Sequence, residues 1–126
     1  MLASPRPTKL ELARQRLEHA ALLTQGLLPQ HLDLTLSEAL VIGLLRQGVK
    51  SFLAVFGHGS TEIGEVLRIY QGAGLLKVYG VRSEIEASHA AAALRWATGE
   101  KAAVVTSIGP GALQALAASL VAASDG

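Results

Sequence analysis

Three short apolar runs, residues 51–56, 75–79 and 102–107, alternate with helix-length stretches, and this alternation limits the fold more than any other feature. Phe52-Leu-Ala-Val-Phe56 is almost continuously apolar, as expected of a strand buried on both faces. Between the runs, Ile63, Val66, Leu67 and Tyr70 fall at i, i+3, i+4 and i+7, the spacing of one helix face. A second helix is predicted over residues 83–98, ended by Gly99, and an apolar one follows the Gly109-Pro-Gly111 turn to about residue 123. Strand and helix repeated three times reads as right-handed crossovers and a parallel sheet. The predicted fold class is α/β, a three-layer parallel sheet flanked by helices.

Upstream, residues 1–7 read as a tail and residues 9–28 as an amphipathic helix. Leu10, Leu12, Ala13, Leu17, Ala20, Ala21 and Leu27 form its apolar side, and Arg14, Arg16 and Glu18 much of its polar side. After a linker at 29–33, Thr35-Leu-Ser-Glu38 is a capping-box pattern. It opens a helix through Leu40, Val41, Leu44 and Leu45 that stops at Gly48. The chain therefore divides into an N-terminal tail and helix, 1–33, and the first part of an α/β domain, 34–126. Gly126 falls where another strand is expected, and three parallel strands make a small sheet. The sequence is accordingly read as part of a longer chain.

Composition narrows the partners. The length, 126 residues, suits one domain. Half of the residues are hydrophobic, and 17% are charged against a usual ~25%, which suggests that something else covers part of the surface. A net charge of +1 lacks the dense basic stripe of a nucleic-acid binder. Without cysteine there is no disulfide and no thiolate metal site. No run approaches the roughly 18 apolar residues of a membrane span. Nor does an apolar stretch of about 7 to 15 residues follow the early basic ones, as a secretory signal requires. The expectation is a cytoplasmic protein with neither a nucleic-acid nor a membrane partner.

Open parallel sheets bind ligands beyond the carboxyl ends of their strands, where three loops are predicted here. The first holds Gly57, His58 and Gly59. A dinucleotide fingerprint would need glycine at position 62, where Glu62 stands, and a Walker lysine is missing. The glycines alone suit a tight turn, whereas a histidine at the loop tip is placed for proton transfer. In the second loop Ser83-x-x-Glu86 is another capping-box pattern, and Glu84 takes the first helical position, where the macrodipole favours a negative charge. That position suits an ordinary helix start as well as a functional carboxylate. His89, one turn on, suits a core histidine as well as a functional one. The third loop, with Ile108, Gly109, Pro110 and Gly111, is a rigid turn that permits close backbone approach at a helix start.

In this order, the segments Thr35-Leu-Ser-Glu-Ala-Leu40, Val55-Phe-Gly-His-Gly59, Arg82-Ser-Glu84 with Ala87-Ser-His-Ala-Ala-Ala92, and Thr106-Ser-Ile-Gly-Pro-Gly111 carry a resemblance. The chain from about Leu34 to Gly126 resembles the N-terminal pyrimidine-binding domain of acetolactate synthase-like thiamine-diphosphate enzymes. The Phe-Gly-His-Gly loop and the isoleucine of Thr-Ser-Ile-Gly-Pro-Gly look most like the trihydroxycyclohexanedione hydrolase branch.

The resemblance implies thiamine diphosphate as cofactor and Glu84 as its activating residue. In such enzymes a glutamate hydrogen-bonds N1′ of the aminopyrimidine, and the exocyclic nitrogen then takes the proton from the thiazolium carbon. It also implies that Ile108, Gly109, Pro110 and Gly111 lie against the cofactor, and that Gly57, His58 and Gly59 border the reacting carbon of a small-molecule substrate. The diphosphate and its Mg2+ belong to a separate domain that carries a Gly-Asp-Gly motif. Asp125-Gly126 lacks the preceding glycine, so no metal ligand is assigned to this sequence. The active site would form against the diphosphate domain of another subunit, in a homodimer or a dimer of dimers. Two alternatives stay open from the sequence: a non-catalytic α/β binding or regulatory module, and one subunit of a split enzyme.

Overall fold

A computed structural model describes residues 6–124; the rest of the expected N-terminal tail, residues 1–5, and Asp125-Gly126 lie outside it. The element order is α1 (Lys9–Gln25), α2 (Leu36–Arg46), β1 (Ser51–Ala54), a 3-10 turn (His58–Ser60), α3 (Thr61–Gly72), β2 (Lys77–Gly80), α4 (Glu84–Thr98), β3 (Ala102–Val105), α5 (Pro110–Leu116) and α6 (Ser119–Ser124). The α/β class and the parallel sheet are as the alternation predicts.

The strands run in the order β2-β1-β3, all parallel, with Ser51 opposite both Lys77 and Ala102. Ala54 is likewise opposite Gly80 and Val105, so the three strands end level and their loops emerge side by side. Strands are shorter than their apolar runs. Beyond Ala54 only the Val55 amide still pairs, with the Val105 carbonyl at 2.9 Å, and Phe56 turns outward. Leu75 and Leu76 precede β2 rather than opening it, because the Leu75 amide is taken by the Tyr70 carbonyl at the end of α3 (3.0 Å). The apolar stretch after residue 109 is two helices, not one. Between them the Ser119 hydroxyl donates to the Leu116 carbonyl at 2.6 Å, the local competition that breaks short helices.

The connection through α3 moves from β1 to one edge, and that through α4 crosses β1 to the other. Helices on such connections fall on opposite faces of the sheet. Accordingly α3 packs with α1 and α2, and α4 with β1, β3, α5 and α6. The main core lies on the α2–α3 face, where Val41, Ile42, Val66, Leu67, Ile69 and Tyr70 close over Phe52. On the α4 face Ala87 and Ala118 are buried, while Ile85, Trp96, Leu113, Leu116 and Leu120 stand exposed.

Helix α1 corrects the sequence reading in two respects. It stops at Gly26, whose φ of 72° permits a left-handed cap, rather than running to residue 28. Its inward stripe is also not the expected one. Arg16 and His19, with Ala20, are buried, whereas Leu10, Leu17 and Leu27 are 58–66% exposed. The reason is chemical: α2 and α3 present carboxylates to this helix. His19 Nδ1 lies 2.9 Å from Glu38 Oε1, and the Tyr70 hydroxyl donates to the same oxygen at 2.7 Å. Arg16 Nη2 donates to Glu62 Oε2 at 2.7 Å. Burial, then the bond to Glu38 and its charge, push the Tyr70 hydroxyl far above its usual range, with Arg16 acting in the opposite sense.

Glu38 is therefore no capping-box partner. Thr35 caps α2 by accepting from the Glu38 amide at 3.3 Å, but the Glu38 side chain turns inward to the network. A complete box does occur one helix earlier: Thr8 and Glu11 reciprocate at the start of α1, and the Thr8 bonds hold the Glu11 carboxyl below the usual carboxylate range.

Candidate functional site

The order β2-β1-β3 reverses direction beside β1, and the crevice at such a reversal is where α/β sheets place ligands. The loops after β1 and β3 meet there. Gly57 is held by Ser60, whose Oγ accepts from the Gly57 amide at 3.0 Å and donates to its carbonyl at 3.2 Å. A methyl group added at Gly57 would fall 2.5 Å from Ser107 Oγ, and one at Gly59 2.5 Å from Ile108 Cγ2. Glycine at both positions thus lets the two loops approach closely. His58, between them, is exposed.

The loop after β2 joins from the other side, because α4 crosses the sheet and starts beside α5. Ser83 caps α4 by accepting from the Glu86 amide at 3.2 Å. Glu86 does not return to Ser83 as the box pattern predicts; its carboxylate accepts from the Arg82 amide at 3.0 Å, one residue further back. Glu84, the first residue of α4, is left with its side chain directed at the third loop. Its Oε1 lies 2.6 Å from the point where a side chain on Gly111 would begin. Gly111 is buried, Gly109 has φ 71°, and Pro110 opens α5, which suits its fixed φ. Ile108 is 71% exposed, projecting from the loop that connects the two glycine contacts.

The three loops singled out from the sequence therefore gather at one end of the sheet and meet in two contacts: Gly57 and Gly59 against Ser107 and Ile108, and Glu84 against Gly111. His89 does not join them. It is exposed and its Nδ1 donates to the Ile85 carbonyl of its own helix at 2.8 Å, so it is neither a core histidine nor part of this cluster.

Sequence reasoning missed Ser60 and Ser107 as the groups that shape the first loop. It also missed Arg16, His19 and Tyr70 as polar members of the α1–α2–α3 interface. Leu12, Ala13, Arg16, His19, Ala20 and Leu23 share one helical stripe, but α1 alone does not mark it as the inward one; the carboxylates of Glu38 and Glu62 do.

The site is open. A concavity of about 560 Å3 lies beside α3, lined by Phe56, Thr61, Leu67, Arg68 and Val78 among others, and Glu84 is not part of its lining. Among the described residues no group of three or more metal-ligating side chains occurs, and no helix is long and apolar enough to cross a membrane.

The Glu84 carboxylate has no hydrogen-bond partner among the described residues, and it occupies the space that a side chain on Gly111 would take. A half-buried carboxylate without a protein donor can accept from an N–H of a bound molecule. Comparison with curated proteins and with solved structures finds no significant match. Residues 34–126, about three quarters of the chain, match the family described as thiamine pyrophosphate enzyme, N-terminal TPP binding domain. The three-stranded parallel sheet flanked by helices is consistent with that match, and the chain belongs to this family.

Proposed function

We propose that this chain supplies the pyrimidine-facing half of a thiamine-diphosphate site, with Glu84 as the residue that hydrogen-bonds the ring. The observation that carries the reading is the Glu84 carboxylate, without a hydrogen-bond partner among the described residues and 2.6 Å from the side-chain position of Gly111. When bound, thiamine diphosphate supplies a carbon nucleophile for attack on carbonyl groups. Glu84 shares a proton with the ring nitrogen N1′, and its place in the first turn of α4 sets the direction of that bond. Ile108, Gly109, Pro110 and Gly111 form the wall against which the ring rests. Gly57, His58 and Gly59 lie toward the substrate, where the exposed imidazole of His58 can orient a polar group or move a proton.

The enzyme so formed acts on carbon–carbon bonds of keto-acid or diketone substrates. Within the family we assign it to the acetolactate synthase-like group, nearest the trihydroxycyclohexanedione hydrolase branch, on the Phe-Gly-His-Gly and Thr-Ser-Ile-Gly-Pro-Gly loops. Diphosphate and Mg2+ are held by the diphosphate domain of another subunit in a homodimer or dimer of dimers. The exposed apolar side chains on α4, α5 and α6 support such a partner, since a patch of this kind is unusual on a monomer.

The test is Glu84→Gln in the complete enzyme. Turnover should fall by about 10²–10⁴-fold, the range for losing a positioned acid–base group. Calorimetry should still detect the cofactor, because the diphosphate contacts are elsewhere. Unchanged turnover would remove Glu84 from the chemistry.

A further inference from the structure

Helix α1 lies upstream of the family match, yet it bonds to the start of α3, directly after the loop that carries His58. Arg16 is 4% exposed, and its Nη2 donates to Glu62 at 2.7 Å. Glu62 is the second residue of α3, and the turn His58–Ser60 runs directly into that helix. The two ends of the loop are thus fixed by different means. Gly57 and Gly59 rest on Ser107 and Ile108, while the Ser60 end is tied through Glu62 to a helix outside the sheet.

Two features argue that the charge of Arg16 is used for direction rather than for stability. Its Nε is buried without a hydrogen-bond partner among the described residues, a cost that a methionine of similar length would not carry. Its carboxylate partner is 63% exposed, and pairs with a solvated member contribute little net stability. What remains is geometry: a buried cationic donor that holds the first turn of α3 through one bond from Nη2.

From this we infer that Arg16 is a positioning residue for the His58 loop, acting through Glu62 on the start of α3. The claim that this loop faces substrate rests on the function proposed above; the coupling from Arg16 to the loop does not.

The test measures amide hydrogen exchange in the 126-residue chain, at Gly57 and Ser60 in the loop and at Phe52 and Val104 in the sheet. In Arg16→Met and in Glu62→Ala, the loop amides should exchange at least about tenfold faster while the sheet amides stay within about twofold. Arg16→Lys should restore most of the protection. Glu62→Ala removes an exposed carboxylate, so it reports on the same pair even if Arg16→Met does not fold. Unchanged loop exchange in Glu62→Ala, or acceleration spread equally over loop and sheet, overturns the inference. Because no cofactor is present, the result is independent of Glu84→Gln.

Discussion

The Tyr70 hydroxyl donates to Glu38 Oε1 across 2.7 Å, in a place where Glu38 is 1% exposed and Tyr70 fully covered. With His19 Nδ1 at 2.9 Å on the same oxygen, the carboxylate joins all three helices of one layer. Two kinds of substitution separate the roles of this group.

Glu38→Ala should destabilise the chain by about 3–5 kcal/mol, because it leaves His19 and Tyr70 buried without their acceptor. Glu11→Ala, at the same place in an identical Thr-x-x-Glu pattern, should change the unfolding midpoint far less, since that carboxylate is in water. Urea denaturation compares them. Equal losses would mean that both glutamates serve only as caps.

Alkaline stability follows from Tyr70. Its folded pKa is raised, so the folded state keeps a proton that the unfolded chain gives up above about pH 10. The stabilisation is complete below that pH and is lost above it, at about 1.4 kcal/mol per pH unit. Tyr70→Phe should lose about 1.5–3 kcal/mol at pH 7, the usual contribution of a hydrogen bond to a charged group, and show a shallower alkaline slope. Parallel slopes for the two proteins would exclude Tyr70 as the source.

Gly57→Ala should cost about 1–3 kcal/mol, because its new methyl meets both Oγ and Cβ of Ser107. In Gly57→Ala/Ser107→Gly the loss should be largely recovered, giving a coupling energy of about 0.5–3 kcal/mol in a double-mutant cycle. Additive losses would show that the loops do not touch as described.

Gly111→Ala is expected to separate stability from binding. The added methyl encounters the carboxylate of Glu84, which can swing aside, so the unfolding midpoint should move little. A displaced Glu84 cannot hold the ring, and turnover of the complete enzyme should fall at least about tenfold. A variant with full turnover would mean that this contact is not where the ring lies.

Three Ser/Thr-x-x-Glu patterns show how much of the molecule was legible in the sequence. All three mark a real helix start, because the hydroxyl cap depends only on neighbours in the chain. The fate of each glutamate differs. Glu11 completes a box, Glu86 reaches past Ser83 to Arg82, and Glu38 abandons the cap for two donors from other helices. The parallel sheet and the gathering of its loops at the strand ends follow from the alternation of elements. The order β2-β1-β3 and the meeting of Glu84 with Gly111 depend instead on packing between distant segments. The face that α1 turns inward could not be obtained from its own periodicity. Leu10 and Leu17 are as regularly spaced as Arg16 and His19, and only the carboxylates of α2 and α3 decide between them.

The two faces of the sheet are sealed to different degrees, and this bears on how such a chain can change over generations. Nearly all of the interlocking lies among α1, α2 and α3, so substitutions there are coupled and tightly constrained. Across the sheet, Trp96, Leu113, Leu116 and Leu120 project from helices that add few buried side chains. Residues on that side can be exchanged with little penalty to folding, which leaves it free to follow changes in whatever surface it meets, while Glu84 stays anchored at the strand ends.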